Sequence, residues 1–132
     1  MNRAGLAILT LVALAACSSN SSDINQPSGQ PPGNTIAIVL GAQTKGTAAF
    51  NPNPLTISLA GNGVVTWVNQ DQSGGAYSSS GVTHNITADD GSFSSGLLAP
   101  GSTFETTFTV QGSFPYHCSI HPTMKGTVIV TP

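Results

Sequence analysis

Residues 116–130 read Y-H-C-S-I-H-P-T-M-K-G-T-V-I-V, in which a short polar loop lies between two strand-like runs. The loop carries Cys118, His121 and Met124 in the pattern C-x2-H-x2-M. A tight loop that joins two strands can turn all three side chains toward one point. This stretch therefore predicts a strand–loop–strand unit with a metal site in its loop.

The three side chains of the loop identify the kind of metal. A thiolate and an imidazole with a weak thioether are the ligands of an electron-transfer copper site, whereas structural zinc has no use for methionine. Such a site needs a second histidine. His84, within the sequence V-T-H-N-I at residues 82–86, is the obvious candidate.

Short apolar alternations between turn signals continue along the rest of the body. We predict strands over residues 36–40, 55–59, 64–68, 83–88, 104–110, 114–118 and 126–131, and loops over 72–81 and 89–101. No helical period is long enough for a substantial helix. The fold class is therefore all-β, a sandwich or barrel, and Trp67 and Tyr116 are expected in its core.

The composition limits the functions that the chain can have. The 132 residues are enough for one domain, 6% of them are charged, and the formal net charge is −2. The only cations are Arg3, Lys45 and Lys125, so there is no basic patch that could hold nucleic acid.

The first 34 residues differ from the rest. Residues 1–16 form a short, apolar leader that ends in L-A-A before Cys17, and this resembles the lipobox of a bacterial lipoprotein signal peptide. The resemblance implies cleavage before Cys17, acylation of that cysteine and an extracytoplasmic, lipid-anchored protein. Residues 17–34 are rich in Ser, Pro and Gly and predict a flexible tether, with the folded domain at 35–132.

If Cys17 is acylated, Cys118 has no partner in the chain. An unpaired thiol in an exported protein needs a reason, because that compartment oxidises thiols. Metal ligation is such a reason. Each ligand candidate also has an interpretation without a metal. Cys118 could be a small buried hydrophobic residue, His84 a structural histidine in a strand, and Met124 a side chain that fills a gap in the core.

Residues 116–130, together with His84-Asn85 upstream, resemble the cupredoxins, the type 1 blue copper proteins. The short C-x2-H-x2-M loop is most similar to amicyanin and the plastocyanin-like members, although Thr83 stands where many members have proline. The resemblance implies a Greek-key β-sandwich that binds one copper ion.

Site roles also follow from this resemblance. His84, Cys118 and His121 would be the trigonal copper ligands, with Met124 as the long axial ligand. Asn85 would donate a hydrogen bond near the Cys118 sulfur. His117 is set aside as a ligand because strand alternation sends it to the face opposite Cys118.

We expect a monomeric one-electron carrier that shuttles electrons between redox proteins such as a cytochrome, a dehydrogenase or an oxidase. By the resemblance, His121 lies in an apolar docking patch, for which Ile120, Pro122 and Leu97-Leu98 are candidates. The low charge predicts docking that depends weakly on salt.

Two further functions stay open on the residues alone. One is a copper-binding or copper-delivery lipoprotein with the same ligands and an exchangeable ion, and the other is a surface lipoprotein with an empty site. An enzyme is not expected, because Cys118 lacks a third orienting group for nucleophilic catalysis. The chain has only three histidines, too few for a multicopper enzyme.

Overall fold

The structure is a computed structural model, and it describes residues 33–72 and 80–132. The predicted leader, Cys17, most of the tether and the centre of the loop expected at 72–81 lie outside the described residues. None of the described helices is long and apolar enough to cross a membrane.

Two four-stranded sheets form the body of the protein. The first has the order β2-β1-β4-β6, and the second has the order β3-β8-β7-β5. The strands are β1 Thr35–Ile38, β2 Phe50–Asn51, β3 Leu55–Ser58, β4 Val64–Asn69, β5 Thr87–Ala88, β6 Thr103–Thr107, β7 Gly112–His117 and β8 Lys125–Thr131. The β1–β4 and β3–β8 pairs are parallel, and the other pairs are antiparallel. The predicted all-β class is confirmed.

The apolar faces of the two sheets meet around the single tryptophan. Trp67 has no exposed surface, and its ring centroid lies 5.4 Å from that of Tyr116 in an edge-to-face arrangement. Phe93 and Phe104 lie 5.7 Å from Trp67 on other sides. Edge-to-face and tilted pairs of this kind stabilise a core beyond their area burial, and they place Trp67 and Tyr116 in the core, as predicted.

Strand alternation in β4 delivers a polar residue to the interior. Val65, Trp67 and Asn69 are all buried, with half-buried residues between them. The last of these inward-facing side chains is therefore the amide of Asn69, which lies at the edge of the sandwich where the candidate site is found.

The strand predicted over residues 83–88 is shorter in the structure. Only Thr87–Ala88 pair with β7, and His84 makes an isolated bridge to Leu98. The alternating pattern reflects burial of His84 and Ile86. It does not reflect a continuous ladder, because these residues bond to the irregular segment 93–98.

Candidate metal centre

Three of the predicted ligands converge at one end of the sandwich. The Cys118 Sγ atom lies 3.9 Å from His84 Nδ1 and 3.8 Å from His121 Nδ1. The two Nδ1 atoms are 3.2 Å apart. A metal with bonds of about 2.0–2.3 Å to nitrogen and thiolate holds its donors roughly 3–4 Å apart. The three donors are therefore spaced as ligands of a single metal ion.

The loop from Cys118 to Met124 is closed by its own backbone. The Cys118 amide donates to the Met124 carbonyl at 3.1 Å, and the Met124 amide donates to the His121 carbonyl at 2.9 Å. Cys118 follows directly after β7, and β8 begins one residue after Met124. The β7–β8 pairing therefore fixes both ends of the loop.

Met124 is completely buried and belongs to the same apolar cluster as Cys118. Its burial keeps the thioether away from water at the inner side of the loop. His121 is half-buried, whereas His84 and Cys118 have no exposed surface. The centre is thus closed on its inner side and accessible at His121.

Asn85 fastens the His84 segment to the ligand loop. Its backbone N–H donates to Cys118 Sγ at 3.5 Å. Its side-chain amide donates to Ser119 Oγ at 2.6 Å, and its Oδ1 accepts from the Ser119 amide at 2.7 Å. These contacts hold the two ligand-bearing segments in register and direct a donor at the sulfur.

His84 is also fixed from the side away from the loop. Its amide donates to the Leu98 carbonyl at 3.1 Å, and the Leu98 amide donates back at 2.8 Å. Leu98 is only 4% exposed. The prediction that Leu98 belongs to the docking patch was therefore wrong, because its side chain is buried in the core and its backbone is bonded to His84. Leu97, 74% exposed, remains at the surface.

A buried carboxylate completes the surroundings of His84. Asp71 Oδ2 lies 2.9 Å from His84 Nε2, the ring nitrogen that faces away from the cluster. The Asp71 carboxylate also accepts from the amides of Gly41 at 2.7 Å and Ala42 at 3.2 Å. In the sequence Asp71 is one of five acidic residues, and no local signal separates it from the other four.

Asn69 ties together the segments that meet behind His84. Its amide donates to the carbonyls of Val82 at 2.8 Å and Leu98 at 2.9 Å, and its Oδ1 accepts from the Asp71 amide at 3.0 Å. Sequence reasoning missed this residue as well. A buried amide with all of these groups paired fixes a backbone arrangement without leaving an unsatisfied polar atom.

The contacts within the cluster lower the pKa of Cys118 and raise the pKa of His84. Burial raises the pKa of the Cys118 thiol, but contacts with His84 and the Asn85 N–H outweigh it and lower the pKa to about 6. Burial lowers the pKa of His84, but hydrogen bonds to Cys118 and Asp71 outweigh it and raise the pKa above its usual value. Stabilising the thiolate suits metal binding, since the thiolate is the ligand form of cysteine.

His117 lies outside the cluster. Its Nδ1 atom is 2.6 Å from Asp89 Oδ1, and both side chains are partly exposed. The ring therefore points to the face of β7 opposite Cys118, as strand alternation predicts. Tyr116 is buried against Phe50 and Trp67, where it packs in the core.

The chain is similar in sequence and in structure to known copper proteins. The family model described as copper binding proteins of the plastocyanin/azurin family matches residues 37–131. A plastocyanin from Scenedesmus fuscus is 33% identical over 108 residues, which are 72% of this chain and 98% of the plastocyanin. A purple cupredoxin from Nitrosopumilus maritimus is 31% identical with a TM-score of 0.62, covering 75% of this chain and 100% of that one.

Two other structural likenesses are more distant. A copper-containing nitrite reductase from Thermus scotoductus is 26% identical with a TM-score of 0.56, and the match covers 83% of this chain but 24% of the reductase. A reduced amicyanin mutant is 19% identical with a TM-score of 0.53, covering 81% of this chain and 87% of the amicyanin. At that identity the amicyanin likeness concerns the fold.

A two-sheet sandwich with two histidine nitrogens and a cysteine sulfur converging beside a buried methionine defines a cupredoxin. Because the family model spans most of the chain, the protein belongs to the plastocyanin/azurin family of copper-binding proteins. It binds one copper ion, as the sequence predicted, and acts as a copper-binding electron carrier.

Proposed function

We propose that the protein is a type 1 copper one-electron carrier held on the outer side of a bacterial membrane. His84, Cys118 and His121 are the trigonal ligands, and Met124 is the axial ligand. The convergence of Cys118 Sγ and the two Nδ1 atoms, which lie 3.2 to 3.9 Å from one another, carries the copper site of this proposal. When bound, copper supplies a Cu(I)/Cu(II) couple that moves one electron at a time.

The residues around the site keep the structural change that accompanies electron transfer small. The loop closure at Cys118 and Met124 and the Asn85–Ser119 bonds hold the ligands in one arrangement, so little has to move when the charge changes. His121 is the ligand with access to the surface, and it is where an electron enters or leaves.

Copper binding in the purified protein tests the site. Adding Cu(II) should produce an intense thiolate-to-copper absorption, blue to purple in colour, which Cys118→Ala abolishes. Lys125→Ala, at the first residue of β8, is the matched control and should keep the colour. A colourless protein that binds Cu(I) would instead support copper delivery, and absence of binding would support the empty-site alternative.

Redox partners dock on an apolar surface around His121. Ile120, which is 44% exposed, the exposed Pro122 and Leu97 form this docking patch. Electron self-exchange between copies of the protein measures docking without a known partner. Ile120→Asp should slow self-exchange by about tenfold, because like charges then face each other. Val110→Asp, at an exposed position before the far end of β7, should leave the rate unchanged.

The lipid anchor is proposed from Cys17 and the leader before it. Multiple acyl chains on one residue anchor a protein stably. In cells fed labelled fatty acid, the unaltered protein should take up label and sediment with membranes. Cys17→Ser should be unlabelled, whereas Cys118→Ser should stay labelled. Fatty-acid label on the Cys17→Ser protein would contradict the anchor.

A further inference from the structure

We infer that Asp71 is a positioning and redox-tuning residue of the copper centre, which acts through His84. It holds the His84 ring with Nδ1 free for the metal, and its buried negative charge favours Cu(II) over Cu(I). The inference rests on the proposed role of His84 as a ligand.

The hydrogen bond between Asp71 and His84 selects one form of the imidazole. In a neutral imidazole one ring nitrogen carries the proton and the other has the lone pair. The carboxylate at 2.9 Å accepts a hydrogen bond from a protonated Nε2. The lone pair is then on Nδ1, the nitrogen that faces Cys118 Sγ and His121 Nδ1.

The contacts of Asp71 suit an ionised carboxylate. Three N–H groups, those of Gly41, Ala42 and the His84 ring, converge on its two oxygens, and an ionised carboxylate can only accept. The Asp71 side chain is 4% exposed. Among residues 33–72 and 80–132, its only ion-pair partner is His84 itself. When His84 holds copper as a neutral imidazole, no cationic side chain among these described residues cancels the charge of Asp71, and its burial keeps water from screening it.

Charge balance gives the direction of the effect. Cu(II) with the Cys118 thiolate and the Asp71 carboxylate has no net charge, whereas Cu(I) with the same groups has a charge of −1. A buried site disfavours net charge. Asp71 therefore stabilises the oxidised state and lowers the reduction potential of the centre.

The backbone contacts of Asp71 explain how the carboxylate keeps its place. Gly41 precedes a short 3₁₀ helix, Ala42–Thr44, that follows β1. The Gly41 N–H donates to Asp71 Oδ1, and the Ala42 N–H is shared between Asp71 Oδ2 and the Val39 carbonyl. The Asp71 amide and carbonyl are bonded to Asn69 Oδ1 and the Val82 amide. Hydrogen bonds to the carboxylate and to the backbone of Asp71 thus fix its position in the protein without a metal.

The test measures the reduction potential of Asp71→Asn, which keeps the shape but loses the charge. We expect the Cu(I)/Cu(II) equilibrium to move at least tenfold toward Cu(I), a rise of about 59 mV for a one-electron couple. The thiolate-to-copper absorption should keep its position, because an amide oxygen can still accept from Nε2. A variant that only disturbed the structure would move the absorption.

Asp89→Asn is the matched control, because it removes the same charge from the other aspartate–histidine pair. Its 49% exposed side chain lies in solvent, so the equilibrium should move less than about twofold, or about 18 mV. A shift in Asp71→Asn no larger than that of Asp89→Asn would overturn the inference.

A measurement on the unaltered protein does not depend on folding of a variant. In the diamagnetic Cu(I) protein, nitrogen-15 NMR should find His84 protonated at Nε2, with a proton that exchanges slowly with water. Rapid exchange, or a proton on Nδ1, would overturn the inference. If the unaltered protein gave no copper absorption, the proposed site would fail as well, whereas a normal absorption with an unmoved potential would overturn the role of Asp71 alone.

Discussion

In the part of the chain that the structure describes, two aspartate–histidine pairs lie near Cys118, one buried and one at the surface. His84 and Asp71 have exposed side-chain fractions of 0% and 4%, whereas His117 and Asp89 have 30% and 49%. The exposed pair is the shorter, at 2.6 Å against 2.9 Å. The contact distance therefore does not show which pair matters more for the copper site. The surroundings show it, because water screens the exposed pair, whereas the buried pair lies beside the three converging donor atoms.

The largest difference should appear when each histidine is removed. His84→Ala should abolish the intense thiolate-to-copper absorption, because one of the three proposed trigonal ligands, beside Cys118 Sγ, is lost. His117→Ala should keep the absorption, since its ring points away from the cluster. Absorption spectra and copper content of the two purified variants check this. Equal losses would break the comparison.

The next largest difference concerns the stability of the copper-free protein. Asp71→Ala leaves the Gly41 N–H and the buried His84 ring without their acceptor, while the Ala42 N–H keeps the Val39 carbonyl, and should cost about 3 kcal/mol of unfolding free energy. Asp89→Ala should cost less than about 1 kcal/mol. Urea unfolding followed by Trp67 fluorescence measures both. Similar costs for the two variants would show that burial does not make the Asp71–His84 pair more important for stability than the Asp89–His117 pair.

A smaller effect should come from the link between the buried pair and the ligand loop. Asn85→Ala removes two exposed hydrogen bonds to Ser119 and should cost about 1 kcal/mol. Ser119→Ala removes only the one that its hydroxyl accepts. A double-mutant cycle isolates the shared bond, and a coupling energy near zero would mean that the two segments are held together by other contacts.

The smallest expected effect is that of salt. The stability cost of Asp89→Asn should vanish at roughly 1 M salt, where the Debye length is about 3 Å. The cost of Asp71→Asn should persist, because its carboxylate is buried. Unfolding curves at low and high salt give this comparison. A cost that persisted in Asp89→Asn would mean that the exposed pair is not screened.

The parts of the site that depend on local spacing could be predicted from the sequence. Cys118, His121 and Met124 lie in one loop between two strands, so their convergence follows from the loop itself. His84 needed the resemblance as well, because a lone histidine in a strand-like segment is more often structural. The placement of Trp67 in the core followed from strand alternation.

The residues behind His84 could not be predicted, because their roles depend on tertiary contacts. Asp71 becomes a partner of His84 only when the end of β4 meets the turn at Gly41 and the segment at Val82. The strand expected over residues 83–88 failed for a related reason, since burial there comes from bonds to an irregular segment. The leader, the tether and acylation of Cys17 stay predictions.

The parallel pairing of β3 with β8 also has a kinetic meaning. Thr131 bonds to the Ile57 carbonyl across 74 residues of sequence, and β8 pairs with β7 on its other side. Contacts so distant in sequence form slowly, because a long loop must close before they contribute. The ligand loop is in place only when β8 has docked. Colour development during refolding with copper should therefore report the last step of assembly, later than the fluorescence change of the aromatic core.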